Sequence, residues 1–151
     1  MFADIDLDQA VPDAIYLTSL EHAVTLEEVA FRDVLTFHRD CLNGGLDQAF
    51  DNREGTSDDL ALVFQAYRTV GLSDVASLLD EAVITWRVED DIEKLTDRYT
   101  QFTYGEENDQ PDAVERAVMQ YAQLHEGAFA SISGAAARGD FKTVNFGRLA
   151  W

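Results

Sequence analysis

The sequence predicts an all-α, single compact domain of six or seven helices with a short or irregular C-terminal extension, and three observations carry that prediction. Apolar residues recur at helical spacing along nearly the whole chain, and strand-like alternation is weak and confined to residues 141–151. The 151 residues are 46% apolar and 11% aromatic, enough for a core and incompatible with disorder throughout. No internal repeat and no linker rich in Pro, Gly or Ser divides the chain, so residues 1–151 read as one domain.

Residues 12–23 have the least regular pattern and form the first helix. Thr25-x-x-Glu28 is a capping box, in which the hydroxyl accepts an orphan amide and the carboxylate reaches back. Behind it, Leu26, Ala30, Val34, Phe37 and Cys41 form one stripe and Phe31, Leu35, His38 and Leu42 a second. Two adjacent stripes give a wide buried face and a central place in the fold. Asn43-Gly44-Gly45 stops this helix, because glycine takes the left-handed C-cap without a Cβ penalty. A short helix through Leu46, Ala49 and Phe50 then ends within residues 52–55. Thr56 or Ser57 caps the next, which turns Leu60, Phe64, Tyr67 and Val70 inward and terminates at Gly71. Ser73 opens a helix through Val75, Leu79, Ala82 and Trp86, and another passes through Ile92, Leu95, Tyr99 and Phe102. Asp109-Gln110-Pro111-Asp112 starts the last one, with proline tolerated in the first turn. It runs through Val114, Val118, Tyr121, Leu124, Ala128 and Ile132 and frays across residues 134–139.

Charge narrows the function classes. With 29 acidic against 11 basic residues the net charge is −18, which repels nucleic acid and anionic membrane and favours basic proteins. Seven acids precede the first basic residue, Arg32, and residues 88–115 hold ten acids against Lys94 and Arg98. From Gly127 onward the balance reverses, with Arg138, Lys142 and Arg148 against Asp140. The first eight residues carry acid where a signal peptide needs Lys or Arg, and the uncharged stretch 127–137 is too short and polar to span a bilayer. A single cysteine, Cys41, excludes an internal disulfide, so the expected setting is a reducing cytoplasm.

Catalytic patterns are missing. There is no Gly-x-Ser-x-Gly elbow and no phosphate-cradling loop, and His22, His38 and His125 are isolated. His38 and Cys41 have the spacing of two metal ligands on one helix face, yet both continue apolar stripes, which favours a satisfied core histidine beside a buried thiol. Asp4-x-Asp6-x-Asp8 imitates a calcium loop but fails at Gln9 and Ile15, where glycine and a bidentate Glu are needed. No metal and no cofactor is expected.

The segment Leu42-Asn43-Gly44-Gly45-Leu46-Asp47-Gln48-Ala49-Phe50-Asp51-Asn52-x-x-Gly55 resembles the Asn-Gly-Gly-aromatic-x-Gln-aromatic-Phe-x-Asn motif of the DNA-mimic protein family, a large bacterial group. Tyr67-x-x-Val70-Gly71-Leu72 and Ala76-x-x-Leu79-x-x-Ala82 are similar to its next two helices, so the likeness covers about residues 26–86. Leu46 and Ala49 depart from it, standing where that family carries aromatics. Asn43, Gly44, Gly45, Gln48, Phe50, Asn52, Gly55 and Gly71 read as a fold signature. Asn43 and Gly44 turn the chain, Gly45 permits close approach, Gln48 satisfies backbone groups and Phe50 anchors the short helix.

The resemblance implies a non-catalytic acidic protein that imitates duplex DNA and occupies the nucleic-acid face of a basic protein, a transcription factor or nucleoid protein. Eighteen net charges match about 31 Å of duplex, and a domain of this length is roughly 35–40 Å across. The candidate contacts are Glu89, Asp90, Asp91, Glu93, Asp97, Glu106, Glu107, Asp109 and Asp112, assisted by Asp47, Asp51, Asp58 and Asp59. The aromatic and basic residues of 141–151 are open to packing on the acidic body or on a second copy, as in a homodimer. Three alternatives stay open, one being the antitoxin or immunity partner of a basic toxin, which binds without imitating DNA. Asp outnumbers Glu 18 to 11 and lysine occurs twice, a composition that solubility or salt adaptation also produces. The lesser alternative is an uncharacterised enzyme.

Overall fold

The computed structural model describes residues 11–53 and 57–140. They form seven α-helices: α1 (Asp13–His22), α2 (Leu26–Asp51), α3 (Ser57–Thr69), α4 (Ser73–Arg87), α5 (Glu93–Tyr104), α6 (Ala113–Leu124) and α7 (Ala130–Ala137), with a 3-10 turn (Glu126–Phe129) before the last. No strand occurs among the described residues. The weak alternation of 141–151, the acids of 1–10 and the Thr56 cap lie outside them. Among the described residues no helix is long and apolar enough to cross a membrane.

Helix α2 is central, as its two stripes require, and packs against α1, α3, α4, α5 and α6. Phe31, Val34, Leu35, Phe37 and His38 are fully buried, whereas Leu26 and Leu42, at the ends of the stripes, are 86% and 37% exposed. Phe37 sits among the rings of Phe50, Phe64 and Tyr67, with centroids 5.9–6.2 Å away. A second aromatic group, Phe31, Phe129 and Tyr121, closes the side under the 3-10 turn.

The capping box forms as expected: Thr25 Oγ1 accepts the Glu28 amide at 3.1 Å and the Glu28 carboxylate accepts the Thr25 amide at 3.1 Å. The stop at Asn43-Gly44-Gly45 is a kink within α2. Gly45 adopts φ +78°, ψ −177°, a region almost confined to glycine, and the chain re-enters a helix at once. Leu46, Ala49 and Phe50 of this distal arm are fully buried. Gln48 differs from expectation: it is exposed and donates to the Asn52 side chain at 2.8 Å instead of to backbone. Gly55 lies outside the described residues.

Helices α3, α4 and α7 end alike. In each, two amides past the C-cap bond back into the last turn: Gly71 and Leu72 to Arg68 and Tyr67, Glu89 and Asp90 to Trp86 and Thr85, Gly139 and Asp140 to Ala136 and Ala135. The left-handed position is glycine in α3 and α7, but Glu89, with φ 57°, in α4.

The expected last helix is two. It breaks at His125 (φ −120°, ψ 33°), passes through the 3-10 turn and resumes as α7. Leu124, expected inward, is 75% exposed, and the break swings Phe129 onto Phe31 at 5.4 Å. Phe102 is likewise 39% exposed at the edge of α5.

Candidate acidic interface

The distal arm of α2 meets α5 at Thr96. Its hydroxyl accepts the Leu46 amide at 3.3 Å, and its methyl lies 3.2 Å from where a Cβ on Gly45 would stand. Phe50 on the same arm packs against Trp86, near the end of α4, with ring centroids 5.4 Å apart and tilted by 48°. The α2 arm, the end of α4 and the start of α5 therefore converge. Seven of the expected contact residues are exposed here, Asp47, Asp51, Glu93 and Asp97 on these helices and Glu89, Asp90 and Asp91 in the connection between α4 and α5. Asp91 also accepts the Glu93 amide at 2.9 Å, so it helps to start α5 as well as carrying charge. Glu93 and Asp97 stand one turn apart on one face of the helix.

The remaining candidates are elsewhere. Glu106, Glu107 and Asp109 are exposed beyond the other end of α5, whose twelve residues span about 18 Å. Asp59 is exposed on α3, facing a groove that Arg32 and Asp33 of α2 also line. The side chain of Asp58 lies outside the described residues.

Residues 89–109 hold eight acids against Lys94 and Arg98, a net −6, and Arg98 is paired with Glu81 of α4 at 3.6 Å. Within α5 itself Glu93 and Asp97 are balanced by Lys94 and Arg98, so the excess of acid lies in residues 89–91 before the helix and in 106–109 beyond its other end.

Asp112 corrects the sequence expectation. Its side chain is 11% exposed and faces inward, where Oδ2 meets Nε2 of buried His38 at 2.7 Å and Oδ1 accepts the Glu115 amide at 2.9 Å. It starts α6 and orients a histidine, which leaves it little to offer a partner. The carboxylate accepts, so Nε2 carries the proton. Nδ1 of the same ring lies 2.8 Å from the Tyr99 hydroxyl, which lies 2.6 Å from that of Tyr67, both within hydrogen-bond distance. Four helices, α2, α3, α5 and α6, are joined by this chain. Burial holds the hydroxyls of Tyr67 and Tyr99 and the thiol of Cys41 well above their usual pKa values, so all three stay protonated.

Both His38 nitrogens are engaged by protein partners, which makes it a satisfied core histidine. Among the described residues, no group of three or more His, Cys, Asp or Glu side chains could hold a metal ion.

Sequence reasoning missed two buried carboxylates. Glu28, fully buried, not only completes the capping box but accepts the Ile132 amide of α7 at 2.8 Å. Glu115 accepts the Val11 amide at 3.4 Å and pairs with Arg39 at 3.5 Å, and the Arg39 guanidinium lies 3.9 Å over the Tyr16 ring. Burial and the nearby Asp112 charge raise the Glu115 pKa. The capping box foretold the first role of Glu28, but nothing local signals a partner 104 residues away.

Searches of the curated proteins and of the solved structures find no match to the chain. One protein-family model, described as DMP19-like protein, matches residues 22–137.

Proposed function

The chain belongs to the DMP19-like protein family, a DNA-mimic type, and from that premise we propose that its acidic surface occupies the nucleic-acid-binding face of a basic protein, a transcription factor or nucleoid protein. The observation that supports this reading best is that exposed Asp47, Asp51, Glu89, Asp90, Asp91, Glu93 and Asp97 are carried by segments that meet through the Leu46–Thr96 and Phe50–Trp86 contacts. Asp47, Asp51, Glu93 and Asp97 are carried on helices, and Glu89, Asp90 and Asp91 on the short connection between α4 and α5. Such an interface raises the association rate and selects basic surfaces more than it adds raw affinity. The function is binding, without catalysis or cofactor.

A second reading draws on the acids outside this end. Asp13, Asp74 and Glu126, among others, are also exposed, as solubility or salt adaptation would have it. One experiment separates the two. The chain is immobilised, exposed to a cell lysate, and eluted with duplex DNA. Mimicry predicts that basic DNA-binding proteins are retained and that duplex DNA displaces them. The double substitution Glu93→Lys with Asp97→Lys should weaken retention about tenfold, equivalent to about 1.4 kcal/mol. The equally charged control Asp74→Lys with Glu126→Lys should change it little. Equal loss in both variants assigns the acidity to general solubility.

A further inference from the structure

An open groove of about 610 Å3 runs between α2 and α3, with Tyr121 of α6 at its margin. A second hollow of about 510 Å3 adjoins it, sharing Arg32, Asp33, Arg53 and Asp59. Together they make a trough along α2 from Leu26 to Asp40, about 21 Å or four helical turns, all of it before the kink at Gly44 and Gly45. Asn52 and Arg53 line its far end, and they directly follow Asp51. The trough thus ends where the acidic arm of α2 ends.

Its two ends differ in chemistry. At the start, Leu26 and Leu62 line it while 86% and 64% exposed, together with Val29, Val63 and Ala66. Single exposed leucines are ordinary, but two of them on the helices that wall one groove mark a binding surface. Farther along α2 the lining turns acidic. Glu27, Asp33, Asp40 and Asp59 stand against Arg32 and Arg53, four carboxylates against two guanidinium groups, a net −2. Arg32 is already bonded to Asp33 at 3.0 Å. An occupant that matches this lining is apolar along one stripe and cationic beside it. Backbone geometry selects its shape. No strand occurs among the described residues, so no open sheet edge is offered there to an extended peptide. Two neighbouring helices instead present residues three and four apart, Leu26 with Val29 and Leu62 with Ala66, between which the side chains of a third helix pack.

We propose that this trough receives an amphipathic helix of a basic partner protein, its apolar stripe on Leu26 and Leu62 and its lysines or arginines over Asp40 and Asp59. The probe is a dye-labelled peptide of about fourteen residues, with leucines three and four apart on one face and lysines on the other. A control peptide has the same composition with the leucines scattered, so charge is equal and only the stripe is lost. At physiological salt, exposed charges more than about 8 Å apart are screened. Under those conditions fluorescence anisotropy should show the striped peptide binding about tenfold tighter than the control. Leu26→Gln with Leu62→Gln, uncharged and at exposed positions where the fold loses little, should remove that difference. Glu93→Lys with Asp97→Lys should preserve it, which locates the peptide away from the acidic end. Three results overturn the proposal: equal binding of the two peptides, a difference that survives the leucine substitutions, or one that the lysine substitutions abolish. A fourth is an unmodified chain that sediments as a dimer and is separated by the leucine substitutions, since a second copy then fills the trough. None of these outcomes depends on elution by duplex DNA, so the trough and the acidic end stand or fall separately.

Discussion

Glu89 occupies a backbone position that α3 and α7 give to glycine. Its φ of 57° puts a Cβ where an L-residue is disfavoured, at a cost of roughly 1–2 kcal/mol. Nothing in the geometry of the turn requires a glutamate, because the two closing bonds, Glu89 N to Trp86 O and Asp90 N to Thr85 O, use backbone alone. The residue contributes charge at the acidic end, at a stability cost glycine would avoid. Glu89→Gly should therefore raise the melting temperature by about 2–4 °C while reducing capture of basic proteins. Thermal melts and the retention assay read the two effects separately, and a lower melting temperature would show that the turn depends on the glutamate side chain. Asp112 shows the opposite case. Sequence counted it among the surface acids because it lies in an acidic run, yet the histidine that claims it is 74 residues away. Its first role, as helix start, was legible from Asp-Gln-Pro-Asp. Its second was not, because a side chain 74 residues off leaves no local pattern.

At the scale of elements, the clearest signals were those that act within one turn. Thr25-x-x-Glu28, Gly45 and Gly71 punctuate the chain where the sequence says they do, since capping and left-handed φ are settled by immediate neighbours. The division of the final helix at His125 escaped notice because its cause is tertiary: Phe129 turns to reach Phe31, and the apolar spacing through Leu124, Ala128 and Ile132 mimics one continuous helix. Gly45 belongs to both levels, being required by its own φ and by Thr96 against it. The acidic end was half legible. The acids of 88–115 stood out as a run, whereas the approach of the segment carrying 89–97 to the arm carrying Asp47 and Asp51 depends on the kink and on Thr96. Glu28 ties two elements together. Glu28→Ala removes the capping acceptor and leaves the buried Ile132 amide unbonded, which should cost about 3 kcal/mol in all. Hydrogen exchange should quicken most in the first turn of α7, far from the substitution in sequence. Protection in α7 equal to that of the unmodified protein would mean that packing on α1, and not Glu28, holds it.

For the whole molecule, charge and burial set the response to pH. Glu115 and Asp40 both have pKa values raised by burial above their ordinary 4.5 and 3.8. Each binds its proton more tightly folded than unfolded, so its contribution to stability is full below the ordinary value and falls away as pH rises through the raised one. Net charge acts in the same sense, because protonating any carboxylate relieves the self-repulsion of a −18 chain. The melting temperature should accordingly rise when the pH is lowered from 7 to about 5.5. Asp40→Asn combined with Glu115→Gln should flatten that rise, and a fall on acidification would contradict the account. The two long-range carboxylate bonds have another consequence. Glu28 to Ile132 and Glu115 to Val11 each join residues 104 positions apart. At 5–20 residues per second, a ribosome needs about 5–20 s to add the stretch between Glu28 and Ile132. For that interval the carboxylate at the start of the central helix has only its own capping box. Part of it must stay hydrated until α7 emerges, so the interior around Phe31 and Phe129 is sealed only when nearly the whole chain has been made.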